Sequence, residues 1–163
     1  MSLSDERAVV AKAHAVWGES DLEAFLAFLT DDIVHNVNVD GGLVPYAASA
    51  VGKDAVRERL ALLLATFEIQ AFVIETMIHT PAYTRTRVLG YYKHKRSGER
   101  LDITPRFDAY VRDGLIWRID EYHDAAYIEA FERFVGFLQE EAMRGGGAAA
   151  SGDGVSSEAS PNE

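Results

Sequence analysis

Apolar residues recur at helical spacing from the start of the chain. Val9, Ala13, Val16 and Trp17 share one face, Ser4 with Asp5 and Glu6 supplies a helix start, and Gly18 ends the run. Ser20 with Glu23 three residues on predicts a capping box for a second helix carrying Leu22, Phe25, Leu26 and Leu29. Ile33 to Val39 is β-branched and interrupted by Asn36 and Asn38, which predicts a strand whose even positions, Val34 included, face one way. A loop follows over Gly41 to Val51, with Pro45 and Tyr46. Lys53 to Phe67 then forms an amphipathic helix with Val56, Leu60, Leu63, Leu64 and Phe67 as its stripe.

Beyond Ile69 the period drops from the helical value toward two. Phe72 to Ile78, Tyr83 to Lys93, Leu101 to Val111 and Leu115 to Tyr122 read as four antiparallel strands. His79-Thr80-Pro81 and Arg96-Ser97-Gly98 supply turns, and Asp113-Gly114 supplies a two-residue hairpin turn because both residues tolerate positive φ. Asp124 can cap a last helix over about 125–143 with Tyr127, Phe131, Phe134, Val135 and Leu138 on one face. From Arg144 to Glu163 the chain turns small and polar and is expected to be a disordered tail, leaving a single domain over 1–143.

The formal charge of -10 repels phosphate backbones, which argues against nucleic acid and anionic membranes as partners. No apolar run spans a bilayer and the first residues lack a secretory pattern, so the expected location is cytoplasmic. The absence of cysteine excludes disulfides, thiolate catalysis and cysteine zinc sites. Chemistry must come from carboxylates, His, Tyr, Arg and amides. His14, His35, His79, His94 and His123 show no ligand spacing, and no glycine-rich phosphate loop or nucleophile elbow occurs, so neither metal nor cofactor is expected.

The order of elements, with Trp17-Gly18-Glu19-Ser20-Asp21-Leu22-Glu23-Ala24, Asp31-Asp32-Ile33-Val34-His35-Asn36, Val51-Gly52-Lys53-Asp54-Ala55-Val56, Asp113-Gly114-Leu115-Ile116 and Glu121-Tyr122-His123-Asp124, resembles the NTF2-like superfamily. The similarity is to its SnoaL-like, ketosteroid-isomerase-like and limonene-epoxide-hydrolase-like branch. It implies an α+β cone, a curved antiparallel sheet wrapped around the N-terminal helices and enclosing an apolar pocket, commonly in a homodimer. That fold hosts isomerases, cyclases and hydrolases as well as non-enzymatic carriers, so residues must decide function.

With the family's register, Trp17, Val34, Asn36, Arg85, Arg87, Phe107, Ala109, Ile119, Glu121 and His123 face the cavity, while Arg106, Asp108 and Tyr110 face outward; a bulge would exchange the sets. The resemblance implies that Glu121 is the cavity carboxylate, that Asn36 positions a water or carbonyl, and that Arg85 pairs with Glu121. Arg87 stands where the epoxide hydrolases carry their acid, and a guanidinium cannot donate a proton at neutral pH. Ketosteroid isomerase positions likewise fall on residues without the required groups. Three readings follow: an acid-base enzyme of the isomerase, cyclase or hydrolase type, with Glu121, His123 and Asn36 catalytic and the arginines holding an anionic group; a ligand-binding module with the same pocket; and a dimeric interaction module.

Overall fold

The computed structural model describes residues 2–39 and 47–148; the expected loop around Pro45 and Tyr46 and the tail from 149 onward lie outside the described residues. The chain divides into two compact units, Met1–Ile128 and Glu129–Glu163. The first carries helices α1 (Leu3–Gly18), α2 (Leu22–Leu26) and α3 (Lys53–Thr66) and strands β1 (Leu29–Val37), β2 (Ala50–Val51), β3 (Phe67–His79), β4 (Thr84–His94), β5 (Arg100–Ile103), β6 (Arg106–Arg112) and β7 (Leu115–Tyr122). Helix α4 (Ala125–Ala148) starts in the first unit and makes up the described part of the second. No helix among the described residues is long and apolar enough to cross a membrane.

The strands form one sheet in the order β2-β1-β7-β6-β4-β3, with β5 paired to β4. Most pairs are antiparallel, but β1 and β7 run parallel, with His35 opposite Ile119 and Val37 opposite Glu121. That pairing brings the first strand beside the last and sets side chains 86 residues apart within hydrogen-bonding reach. The interior of the first unit is filled by Val10, Ala13 and Trp17 from α1, Leu26, Val56 and Leu60 from the other helices, and Leu29, Ile33, Phe67, Val88 and Ile116 from the sheet.

Several boundaries differ from the pattern-based expectations, each for a local reason. Helix α1 starts two residues earlier than Ser4 predicts, because the Asp5 carboxylate accepts both the Ser2 amide (3.0 Å) and its hydroxyl (2.7 Å). Ser20 adopts φ 61° and leaves the capping of α2 to Asp21, whose side chain accepts from the Ala24 amide at 3.0 Å. Leu29, expected on that helix, opens β1 instead. Phe67, expected as the last position of the α3 stripe, starts β3 and is 2% exposed. The expected strand from Leu101 to Val111 is two strands, since Pro105 has no N–H for a ladder; its carbonyl still accepts from the Val88 amide at 3.0 Å. Asp113 and Gly114 take φ 53° and 82°, the turn geometry their sequence predicts. Asp124 caps α4 through the Tyr127 amide (2.8 Å), and the helix continues past 143 through the good helix formers Glu140 to Met143 and an Arg144–Glu140 contact of 3.6 Å.

Strand β4 changes partner midway, from β6 over Thr84 to Arg87 to β5 over Gly90 to Lys93. Gly90 lies at this switch, where a Cβ would stand 2.6 Å from Cγ1 of the buried Ile103. Gly90→Ala is therefore expected to destabilise the fold by about 1–3 kcal/mol through overpacking. Chemical denaturation should register the loss as a lower midpoint without a change in slope, and an unchanged midpoint would show that Ile103 yields.

Candidate active site

The inward face of the sheet is defined by what α1 touches. His14 Nε2 is hydrogen-bonded to Thr86 Oγ1 at 2.8 Å, its ring packs on Phe72 and Phe107, and the Trp17 indole N–H donates to the buried Tyr92 hydroxyl at 3.0 Å. Thr86 is opposite Phe107, Ala109 is opposite Ile119, and Phe107 is opposite Glu121, so cross-strand pairing extends this face to β7. Trp17, Phe107, Ala109, Ile119, Glu121 and His123 therefore stand where the sequence reading sets them.

Four expected site residues do not. Even positions of β4 point inward as Thr84, Thr86, Val88 and Tyr92, all buried, which turns Arg85 and Arg87 outward. Arg85 donates from Nε and Nη2 to the two oxygens of Asp108, both at 2.7 Å, rather than pairing with Glu121, and Arg87 pairs with Glu75 at 3.1 Å. In β1, Ile33 and His35 are buried, and Asn36 is exposed, its amide donating to Asp120 at 2.8 Å on the outer face. Val34 shares that outward parity, opposite Arg118. Leu29, Ile33 and His35, all at odd positions, carry the buried face of β1, which reverses the parity taken from the resemblance. In β4 the expected register simply did not match a strand whose charged residues all sit at odd positions.

His35 replaces Asn36 at the centre of the site. Its Nε2 lies 2.7 Å from one oxygen of Glu121, and the other oxygen lies 2.6 Å from His123 Nε2. On its far side, His35 Nδ1 meets Nη2 of Arg59, from α3. Arginine only donates, so Nδ1 must accept, and the His35 proton resides on Nε2, facing the carboxylate. Burial pushes the Glu121 carboxyl up, but the hydrogen bonds from His123 and His35 outweigh it and hold it well below the usual carboxylate range. Burial pushes His35 down, Glu121 opposes this, and Arg59 adds to it, so the ring is neutral, in agreement with its tautomer.

His123 is held at every point but one. Its amide donates to Asn38 Oδ1 at 2.7 Å, its carbonyl accepts from Asn38 Nδ2 at 2.9 Å, and its ring stacks on Tyr127 with centroids 4.1 Å apart. With Nε2 donating to Glu121, the other ring nitrogen, Nδ1, is buried and has no hydrogen-bond partner among the described residues. The arrangement is an imidazole oriented by a carboxylate, with its second ring nitrogen unengaged among the described residues.

His35, His14 and Arg59 were absent from the sequence-based site. Two signals could have found them. The charged residues of β4 fall on odd positions, and Arg59 interrupts the apolar stripe of α3 one residue before Leu60. The residues His35, Glu121 and His123 are of metal-ligating types, but both imidazole Nε2 atoms face the carboxylate and Arg59 fixes the His35 proton on Nε2. No group of three or more His, Asp or Glu among the described residues is arranged to hold a metal ion.

The sequence model of a family described as the SnoaL-like domain matches residues 10–119. No curated protein matches the chain in sequence. Among solved structures, an NTF2-like protein from Burkholderia xenovorans LB400 superposes with TM-score 0.65 at 19% identity, covering 80% of this chain and 97% of its own. TerC co-crystallised with polyporic acid gives 0.69 at 14% identity over 80% or more of both chains (81% and 98%). A protein with a ketosteroid isomerase-like fold from Catenulispora acidiphila DSM 44928, in complex with trimethylamine, gives 0.63 at 13% identity, covering 75% and 89%. At these identities the likeness establishes the fold alone: a mixed α+β unit with an open curved sheet and helices.

The buried histidines make stability depend on pH. Burial pushes His14 down to about 4, opposed by Glu121, whereas the unfolded chain protonates near 6.5. A depressed folded pKa means that the unfolded state binds the proton first, so stability is complete above about pH 6.5 and falls as pH drops toward 4. His35 acts in the same direction. Denaturation midpoints measured across that range should fall with acidity, and His14→Gln should flatten the slope; an identical slope would show that His14 does not titrate on unfolding.

Proposed function

The chain belongs to the SnoaL-like domain family, and on that premise we propose that it is a cofactor-free acid-base enzyme acting on a small organic molecule, with His123 as the proton-transferring group. The observation that carries this reading is the buried, unpartnered Nδ1 of His123, oriented by an ionised Glu121. Two of the fold's relatives hold small organic molecules, polyporic acid in one and trimethylamine in the other, which supports a small-molecule ligand here.

In this reading His123 Nδ1 accepts a proton from a carbon next to a carbonyl, and the imidazolium that forms is stabilised by Glu121 through the Nε2–H bond. The same nitrogen returns the proton to another atom of the substrate, so the step is an isomerisation or ring closure with no net proton change. Glu121 works as a positioning residue, since both its oxygens are engaged by imidazole donors. His35, itself held by Arg59, binds the second oxygen and keeps the carboxylate from turning. Trp17, Phe107, Ala109 and Ile119 supply the apolar wall that excludes water and raises the strength of these interactions.

Proton abstraction can be followed without knowing the natural substrate, as deuterium incorporation next to the carbonyl of a panel of small ketones in D2O. His123→Gln keeps a donor for Glu121 and removes the base. It is expected to lower exchange by about 10²–10⁴-fold, the span of general-base catalysis, whereas Arg87→Gln, on the outer face, should leave it unchanged. Equal exchange in wild type and His123→Gln would exclude His123 as the base, and ligand affinity without exchange would identify a binding module.

The outer sheet face supports a homodimer. Tyr110 packs on Tyr83 and Trp117, Arg118 lies over Tyr110, Arg112 over Trp117, and Arg106 over Tyr122. Tyr, Trp and Arg are the residues enriched in protein interfaces. Trp117→Glu should convert a dimer into a monomer in sedimentation velocity, and a wild-type monomer at micromolar concentration would overturn the assignment.

A further inference from the structure

Arg59 carries a charge that its surroundings leave incompletely paired. The residue is 8% exposed, and among the described residues its hydrogen bond is from Nη2 to His35, a neutral ring. Nε and Nη1 are both buried with no acceptor. The negative group acting on it is Glu121, but His35 stands between them and Glu121 gives both its oxygens to histidines. A desolvated guanidinium with idle N–H groups is costly unless an acceptor completes it. The described residues supply none.

We infer that Arg59 is an anion-binding residue of this site, and that the molecule it receives is an organic monocarboxylate whose carboxylate accepts from Nε or Nη1. The charge balance selects the class. One guanidinium neutralises one negative charge, and a dianion such as a phosphate monoester would meet the ionised Glu121 one imidazole away, in a chain whose net charge is -10. A carboxylate also matches the planar donor edge of arginine and forms charge-assisted hydrogen bonds. This assigns to Arg59, inside the sheet, the anion-holding role that the sequence suggested for Arg85 and Arg87, which bind Asp108 and Glu75 on the other face. It rests on the acid-base reading only in calling the bound acid a substrate.

Benzoate and its neutral counterpart benzamide distinguish charge from shape. Titration calorimetry of the full chain at neutral pH is expected to give a benzoate affinity about tenfold or more above that of benzamide, the worth of a charge-assisted hydrogen bond. Arg59→Gln should erase this preference by lowering benzoate affinity to that of benzamide. Arg59→Met, which removes a buried charge without demanding a new partner, serves the same purpose where the glutamine variant is unstable. Equal affinities in wild type, no benzoate binding in the millimolar range, or a preference that survives in the Arg59 variants would each overturn the inference. Benzoate preference together with undiminished proton exchange in His123→Gln would remove the acid-base reading and leave the anion site standing; the opposite pair of results would remove the Arg59 assignment alone.

Discussion

A half-buried carboxylate that stays ionised must have its lone pairs occupied, and Glu121 meets that requirement by recruiting two histidines from different parts of the chain. The cost of an unsatisfied carboxylate in a low-dielectric interior is several kcal/mol, so this condition constrains its neighbours closely. It fixes the tautomer of His35 through Arg59, leaves Nδ1 of His123 as the free nitrogen, and depends on the parallel pairing of β1 with β7. Asn38 clamps the backbone of His123 and belongs to the same arrangement, because a strand-end residue would otherwise have no defined orientation.

The sheet separates two kinds of polar chemistry on its opposite faces. Outside, arginines and carboxylates meet directly: Arg85 binds Asp108, and Arg118 binds Asp120 with help from Asn36. These pairs satisfy one another. Inside, Arg59 and Glu121 are linked through the neutral ring of His35, and atoms on both Arg59 and His123 remain without partners among the described residues. Thr30 Oγ1 and His79 Nε2 are also buried without a hydrogen-bond partner among the described residues, but the idle atoms of Arg59 and His123 belong to the one network built on Glu121.

Much of the fold was legible in the residue pattern. The helices, the Asp113-Gly114 turn and the Asp124 cap follow from local chemistry, and the inward direction of Phe107, Ala109, Ile119 and Glu121 follows from strand alternation once a single register is correct. Failures occur where alternation is borrowed. In both β1 and β4 a register taken by resemblance overrode the residue pattern: apolar Leu29 and Ile33 share the odd parity of His35, and every charge of β4 falls at an odd position. A one-residue slip moves an entire strand to the other face, so these errors displaced four site residues together.

Propensity, capping and turn chemistry act over a few residues, and the sequence by itself therefore determined most of the elements and their order, while the candidacy of Glu121 came from the family resemblance. Which groups surround it was decided by tertiary structure alone. The contact between His35 and Glu121 joins the first strand to the last, and the contact between Arg59 and His35 joins a helix to a strand. No local pattern encodes either one. Hydrogen bonds of that kind depend on how strands are ordered and registered across the sheet, which is settled by burial of the whole apolar face rather than by any neighbouring residue.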